Sequence, residues 1–332
     1  MTSILVIRLT SLGDVILATP VIAALHEAYP DAGIDVVVDA SYAEVWRHNP
    51  HLRSVHCVSR GDDAIPGLPA YDLVVDLQKN KRSSRIINRV RSVANPKVIA
   101  YSKHRLEKLA FVYLKRKPTV VTHIVDRYMD PLRQFGVSIA DCDLELWTAS
   151  GRARKLQQTT NGSAVRIGIA PGAQHATKRY PAALFAQLVR SLVLDHHVEV
   201  VTIGGPADRA SCDEIIELAG VSVTRADGST SLAATLDVLT GLDALVSCDS
   251  AAVHMASACK VPVVVVYGST APEFGFTPYK VPHAIVQTLG LDCRPCTHIG
   301  RSRCPKGHFH CMRRIMPSTI IEDVLRLCPT SN

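Results

Sequence analysis

The 332-residue sequence contains no run approaching the roughly 18 uninterrupted apolar residues that a spanning helix needs. Its greasiest stretch, Val261 to Tyr267, has the length of a strand. Charge is sparse as well: charged residues make up 20% and hydrophobic residues 47%, too little charge and too much apolar side chain for a disordered chain. No GxGxxG fingerprint follows any expected strand, which weakens a dinucleotide-dependent oxidoreductase reading. The apolar N-terminus, Met1 to Leu25, has no basic leader and is interrupted by Arg8 and Asp14. It is therefore not read as a signal peptide, and the chain reads as cytoplasmic.

What is present alternates. Ile4 to Leu9 is strand-like and ends in Thr10-Ser11-Leu12-Gly13-Asp14, before a helical pattern over Val15 to Ala28. Ile34 to Val38, a helical stretch over Tyr42 to Arg47, and Leu73 to Asp76 continue the theme. A Gly, Ser, Thr, Gln and Asn-rich lapse over Ser150 to Ser163 reads as a linker. The theme then restarts with strands over Val165 to Ala170, Val198 to Ile203, Ala244 to Ser247 and Val261 to Tyr267. Helices are expected over Pro181 to Leu194, Ala207 to Leu218, Leu232 to Thr240 and Pro317 to Leu327. This predicts an α/β chain of two Rossmann-like domains with parallel sheets facing a central cleft. The boundaries are 1–155, 163–316, and 317–332 for a terminal helix and tail.

Three loops carry candidate chemistry. In the first, Asp14 is either a helix cap or a carboxylate at a strand's carboxyl end that can act as general base. In the second, Pro171-Gly172-Ala173 through Thr177-Lys178-Arg179 offers backbone N–H groups and fixed cations for a phosphate, or else is a solvated loop. In the third, Asp249, Ser250 and Ala251 open a helix whose amides suit an anion, while His254 is either a ligand group or a packed core histidine.

These loops, with Gly204-Gly205-Pro206 between them, occur in the order seen in the ADP-heptose:lipopolysaccharide heptosyltransferases, which the chain resembles over nearly its whole length. The resemblance implies a GT-B glycosyltransferase with metal-independent, inverting transfer. Asp14 matches the catalytic aspartate. Gly172, Thr177, Lys178, Gly204, Asp249, Ser250, Ala251 and His254 fall in the ADP-heptose donor site of the C-terminal domain. Arg8, Thr10 and Ser11 fall on the acceptor side. The family usually has Gly where this chain has Ala251, which limits close backbone approach to a diphosphate.

From Lys79 to Lys117 there are thirteen Lys or Arg against the single acid Glu107. Lys79, Lys81, Arg82 and Arg85 are expected to hold an anionic glycolipid acceptor at the inner-membrane surface, unless they form only a solvated helix face. The stretch has no aromatic stacking pattern, so nucleic acid is not the expected partner. Six of the ten cysteines are scattered and read as buried thiols. Cys293, Cys296, Cys304 and Cys311 cluster, and are read either as a structural zinc or iron site or as reduced or paired thiols. No cofactor is expected in catalysis. The expected activity is heptose transfer to a Kdo/heptose-lipid A core by a peripheral membrane enzyme. Its rivals are a GT-B sugar-nucleotide epimerase and a non-catalytic protein that binds anionic glycolipid.

Overall fold

Strands of a parallel sheet are covered on both faces, so they run as continuous apolar segments. The runs above behave this way in a computed structural model, which describes residues 2–61, 65, 67–138, 142–155, 164–229 and 231–328. The chain forms two compact units, Met1–Lys103 with Thr122–Arg152, and His104–Val121 with Ala153–Asn332.

In the first unit, β1 (Ser3–Ile7), β2 (Gly33–Asp39), β3 (Ser54–Val58), β4 (Leu73–Asp76) and β5 (Lys97–Ala100) make an all-parallel sheet ordered β3-β2-β1-β4-β5. The helices that begin the chain are α1 (Leu12–Ile16), α2 (Thr19–Ala28), α3 (Lys81–Val93), α4 (Arg105–Leu114) and α5 (Ile124–Gln134). The single helix expected over Val15 to Ala28 is divided between α1 and α2. Pro20 lies in the first turn of α2, where its missing N–H costs nothing, and the Thr19 hydroxyl donates to the Ile16 carbonyl at 2.8 Å. Tyr42 to Arg47 is mostly a 3₁₀ turn, Ala40–Val45. A short antiparallel hairpin, β6 (Trp147–Thr148) with β7 (Gly151–Arg152), closes the unit.

The second unit holds β8 (Arg166–Ala170), β9 (Glu199–Gly204), β10 (Thr224–Asp227), β11 (Ala244–Cys248), β12 (Val263–Tyr267) and β13 (His283–Gln287). They too are all parallel, in the order β10-β9-β8-β11-β12-β13. Its later helices are α6 (Ala182–Leu194), α7 (Arg209–Ala219), α8 (Leu232–Thr240), α9 (Ala251–Ala258), α10 (His310–Arg313) and α11 (Pro317–Leu327).

The division of the chain departs from the expected one in three places. Residues 104–121 join the second unit because Phe111 and Val112 of α4 pack against Ala271 and Phe274. Helix α11 is part of the second core, to which it gives Ile320, Ile321 and Val324. The expected linker starts in the turn before β7 and takes in that strand, and its residues 156–163, like the tail 329–332, lie outside the described residues.

One buried charge pins the first sheet at the end away from its functional loops. Asp35, buried on β2, accepts from Arg53 Nε at 2.9 Å and Nη2 at 2.7 Å, and from the Tyr71 hydroxyl at 2.7 Å. Burial pushes the Asp35 carboxyl up, but these donors outweigh it and hold the group below its ordinary value. A depressed carboxyl stabilises the fold above its unfolded pKa of about 4 and ceases to do so as pH falls through the lower folded value. Thermal melts are therefore expected to be flat in this respect from pH 7 to 5 and to fall below about pH 4. Arg53→Met is expected to cost roughly 2 to 3 kcal/mol in urea unfolding, less than a fully buried pair because Arg53 is half-exposed.

Candidate active site

In a doubly wound sheet, ligands bind where the strand order reverses, beside the loops that leave the two strands flanking that point. The reversal lies between β1 and β4 in the first unit and between β8 and β11 in the second. The three loops singled out in the sequence leave β1, β8 and β11.

In the first unit, the β1 and β4 loops are joined by Gln78. Its Oε1 accepts from the backbone N–H of Leu9 at 3.0 Å and of Thr10 at 3.3 Å. Asp76 holds the β4 loop in turn, accepting from Gln78 N, Lys79 N and the Ser83 hydroxyl at 2.9, 2.7 and 2.9 Å.

Asp14 sits at this junction and is partly exposed. Its Oδ1 lies 2.7 Å from Arg8 Nη2 and accepts from the Tyr128 hydroxyl at 3.0 Å. Its Oδ2 accepts from Ser11 Oγ at 3.1 Å and Ser11 N at 3.3 Å. Asp14 is not the helix cap itself: Ser11 takes that place, and Asp14, the third residue of α1, reaches back to it in a capping box. Burial pushes the Asp14 carboxyl up, and the Arg8 charge with the Ser11 and Tyr128 donors outweighs it, leaving the group below its ordinary value. Burial holds the Tyr128 phenol well above its own, so it remains a donor.

Arg8 differs from its expected role. It is buried, paired to Asp14, bonded to the Leu77 carbonyl through Nη1, and 5.2 Å from the Tyr128 ring centroid. It orients Asp14 and has no face left for an acceptor. Ser11, expected on the acceptor side, likewise bonds Asp14, though it is exposed. Arg82 is tied to Asp39 at 3.2 Å and to the Ser59 carbonyl at 3.1 Å. Lys79, Lys81 and Arg85 are exposed and Thr10 is half-buried.

In the second unit, Lys178 Nζ lies 2.8 Å from Asp249 Oδ2, which also accepts from the Thr270 hydroxyl at 2.7 Å. The β8, β11 and β12 loops meet in these two contacts. Ser250 precedes α9 and Ala251 opens it, both half-buried. Thr177 and His254 are buried in the packing. The Thr177 hydroxyl lies 2.9 Å from Ser269 Oγ and accepts from Arg301 N at 2.8 Å, so it holds loops together and is not presented to a ligand. His254 lies on the covered side of α9, the core reading of the two.

Gly172 and Gly204 serve a residue that sequence reasoning passed over. A Cβ at Gly172 would sit 2.2 Å from Asp208 Oδ1, and one at Gly204 would sit 2.7 Å from Asp208 Cβ. The two glycines make room for the Asp208 carboxylate over the ends of β8 and β9, where it accepts from Gly205 N at 3.0 Å. Its position just before α7 reads only as a helix start in the sequence.

The four clustered cysteines are all free thiols. Among the described residues, no group of three or more His, Cys, Asp or Glu is placed to hold a metal ion, so the expected zinc or iron site is not assembled. Cys311 faces the apolar core, where burial pushes its thiol up to about 11, and Cys293 lies 3.9 Å from His308 Nε2. Burial raises Cys296 too.

A model of glycosyltransferase family 9 (heptosyltransferase) matches residues 68–306. Lipopolysaccharide heptosyltransferase 3 of Escherichia coli K12 is 25% identical over 281 residues, 79% of this chain and 81% of that one. Among solved structures, the glycosyl transferase family 9 protein of Veillonella parvula superposes with a TM-score of 0.75 at 21% identity, covering 98% of this chain and 97% of that one. E. coli heptosyltransferase WaaC with ADP gives 0.67 at 19%, covering 98% and 97%. The iron-containing dodecameric glycosyltransferase TibC of enterotoxigenic E. coli gives 0.59 at 14%, covering 98% and 76%. The two parallel α/β sheets match those GT-B folds.

Because Tyr128 donates to Asp14 without carrying charge, Tyr128→Phe is expected to raise the Asp14 pKa and to lower stability by about 1 kcal/mol. Carbon NMR of the aspartate side chains and a urea melt measure the two effects; an unmoved Asp14 titration would show that Arg8 and Ser11 set it without Tyr128.

Proposed function

This chain belongs to glycosyltransferase family 9, the heptosyltransferases, and we propose that it moves a heptose from an ADP-heptose-type donor to a lipopolysaccharide core acceptor, inverting the anomeric carbon with Asp14 as general base. Family membership makes it a glycosyltransferase and sets aside the epimerase and non-catalytic readings. The observation that carries the finer reading is Asp14 itself, a carboxylate at a switch point, held ionised and oriented by Arg8, Ser11 and Tyr128.

The acceptor hydroxyl attacks the anomeric carbon while the bond from that carbon to the diphosphate oxygen breaks. The proton passes to Asp14. Paired to Arg8, Asp14 is a weak base, yet it suffices because the hydroxyl becomes strongly acidic once its oxygen bonds to carbon. The departing ADP gains charge. Lys178 keeps two ammonium donors beyond the one aimed at Asp249, and the amides opening α9 add positive potential, so the proposed transfer needs no metal. Asp208, set over the β8 and β9 ends, is suited to accept from sugar hydroxyls of the donor. The WaaC structure holds ADP, which supports a donor of this type.

Thr10 and the exposed Lys79, Lys81 and Arg85 are proposed to face the anionic acceptor, and the enzyme is proposed to work at the cytoplasmic face of the inner membrane. No helix among the described residues is long and apolar enough to cross a membrane, so attachment is proposed to be peripheral. The cysteine loop is proposed to act on local order alone. A zinc or iron held there by four thiolates would leave no open position for substrate.

Asp14→Asn is expected to keep the fold and ADP affinity while cutting turnover by about two to four orders of magnitude. In the wild-type protein, the acid limb of kcat/KM due to Asp14 should lie below about pH 4, the side to which its partners move it. Mass spectrometry of donor and acceptor pools, with ADP-heptose and Kdo-lipid A supplied, reads both; an undiminished rate in the Asn variant would reduce Asp14 to a cap.

The donor and acceptor assignments separate by variant. Lys178→Ala and Asp249→Ala should each weaken ADP binding in calorimetry, by about tenfold or more, the scale of one charge-assisted contact. Lys81→Ala should leave ADP binding alone and weaken acceptor capture, increasingly so at low salt. ADP affinity governed by Lys81 would overturn the assignment.

A further inference from the structure

Helix α4 is apolar on two sides. Its inner side puts Phe111 and Val112 on Ala271 and Phe274, with the Phe111 and Phe274 rings 5.3 Å apart. Its outer side carries Leu106, Leu109 and Tyr113, spaced i, i+3 and i+7 and therefore stacked along one stripe. These three are 82%, 46% and 70% exposed, and Leu114 beside them 64%. Val120 and Val121, just beyond the helix, are exposed as well. Single apolar side chains scattered over a surface need no explanation, but six large ones within 16 residues form a patch.

Cations lie close to the patch in the chain, although Lys117 pairs with Glu273 at 3.2 Å and Lys108 lies 5.8 Å from the Phe276 ring centroid. Between Lys103 and Lys117 the sequence has six Lys or Arg and one acid, Glu107, which His104 engages at 2.8 Å. Arg105 and Arg116, both exposed, lie at the two ends of the stripe, Arg105 one turn before Leu109 and Arg116 just past the helix end, three residues after Tyr113. Lys115 instead bonds the Val112 and Pro295 carbonyls at 2.7 and 2.8 Å, fixing the end of the helix to the body of its unit. An exposed apolar stripe with cations along its borders is the pattern of a helix that lies in a bilayer interface.

We propose that the outer face of α4 is a contact for an anionic bilayer, with Leu106, Leu109, Tyr113 and Leu114 entering the boundary between headgroups and acyl chains and Arg105 and Arg116 pairing with lipid phosphates. The proposal rests on the reading above that the acceptor is lipid-linked, and it names the surface that does the attaching. A second copy of this chain fits the patch less well, because a two-fold contact would set its cations against an identical set.

The test is co-sedimentation of the full chain, without donor or acceptor, with vesicles of phosphatidylglycerol and phosphatidylethanolamine or of neutral phosphatidylcholine. The protein is expected in the pellet with the anionic vesicles. A Leu106→Gln, Leu109→Gln, Tyr113→Gln variant should lose at least about tenfold in partitioning. Arg105→Gln with Arg116→Gln should lose several-fold, chiefly the salt-sensitive part. Melting temperatures should not move, since the altered groups are exposed. Tyr113→Trp should show an emission blue shift, read against the wild-type background, on anionic vesicles alone.

Wild-type protein that stays in the supernatant, or a triple variant that binds like wild type, overturns the proposal. So does a wild-type dimer that the triple variant converts to monomer, which would give the face to a second copy. Turnover on a delipidated, soluble core acceptor keeps the two readings apart: the triple variant should retain it, and its absence from the wild-type protein would count against the transfer reaction and leave the vesicle result standing.

Discussion

When the strand order of a parallel sheet reverses beside its first strand, the crossovers leave toward opposite faces, and the loops at the reversal are left without a helix between them. Their polar backbone must be satisfied by side chains instead. In the first unit Gln78 does this, taking the amides of Leu9 and Thr10 into the β4 loop. In the second unit the loops are instead joined side chain to side chain, Lys178 and Thr270 to Asp249 and Thr177 to Ser269. Each reversal is thereby a rigid floor on which a carboxylate is mounted, and the candidate chemistry of both units depends on it.

The two carboxylates are held by different cations, to different effect. Asp14 is gripped by a buried arginine, whose planar fork also bonds the Leu77 carbonyl, so its orientation is set before any substrate arrives. Asp249 is paired with a lysine, a point charge on a flexible stem with donors to spare, which can turn toward an incoming phosphate without leaving its partner. The first arrangement suits a group that must receive a proton from one direction. The second suits a group that must follow charge as it develops on a leaving diphosphate.

Space is allotted as carefully as charge. Gly172 and Gly204 are small because the Asp208 side chain occupies the volume their Cβ atoms would take. Gly268 is small because Met312 and the Thr177 carbonyl approach it to 2.6 and 2.8 Å of a Cβ position, which brings the α10 segment after the cysteine loop close to the β12 loop. The cysteines therefore lie in a segment that packs on the β8 and β12 loops, and that packing turns Cys311 inward.

Local pattern was enough to read the interior of both sheets and several helices from the sequence: Leu73 to Asp76, Leu232 to Thr240 and Pro317 to Leu327 carry the residues expected of them. Besides the short β6–β7 hairpin, the strands that escaped it, β3, β5, β10 and β13, are the four edges of the two parallel sheets. An edge strand is covered less completely, so Ser54–Val58 or Thr224–Asp227 has no continuous apolar run to betray it. The position of Asp14 after the first strand was legible, as were Lys178 and Asp249. Their partners were not. Tyr128 meets Asp14 across 114 residues, Arg8 turns out to be spent on orienting it, and Arg82 is claimed by Asp39. Likewise nothing local assigns residues 104–121 to the second unit; that waits on Phe111 finding Phe274. Periodicity records which face of a segment avoids water, a property each segment has alone, whereas the partner it covers is chosen by strand order, a property only the folded chain possesses.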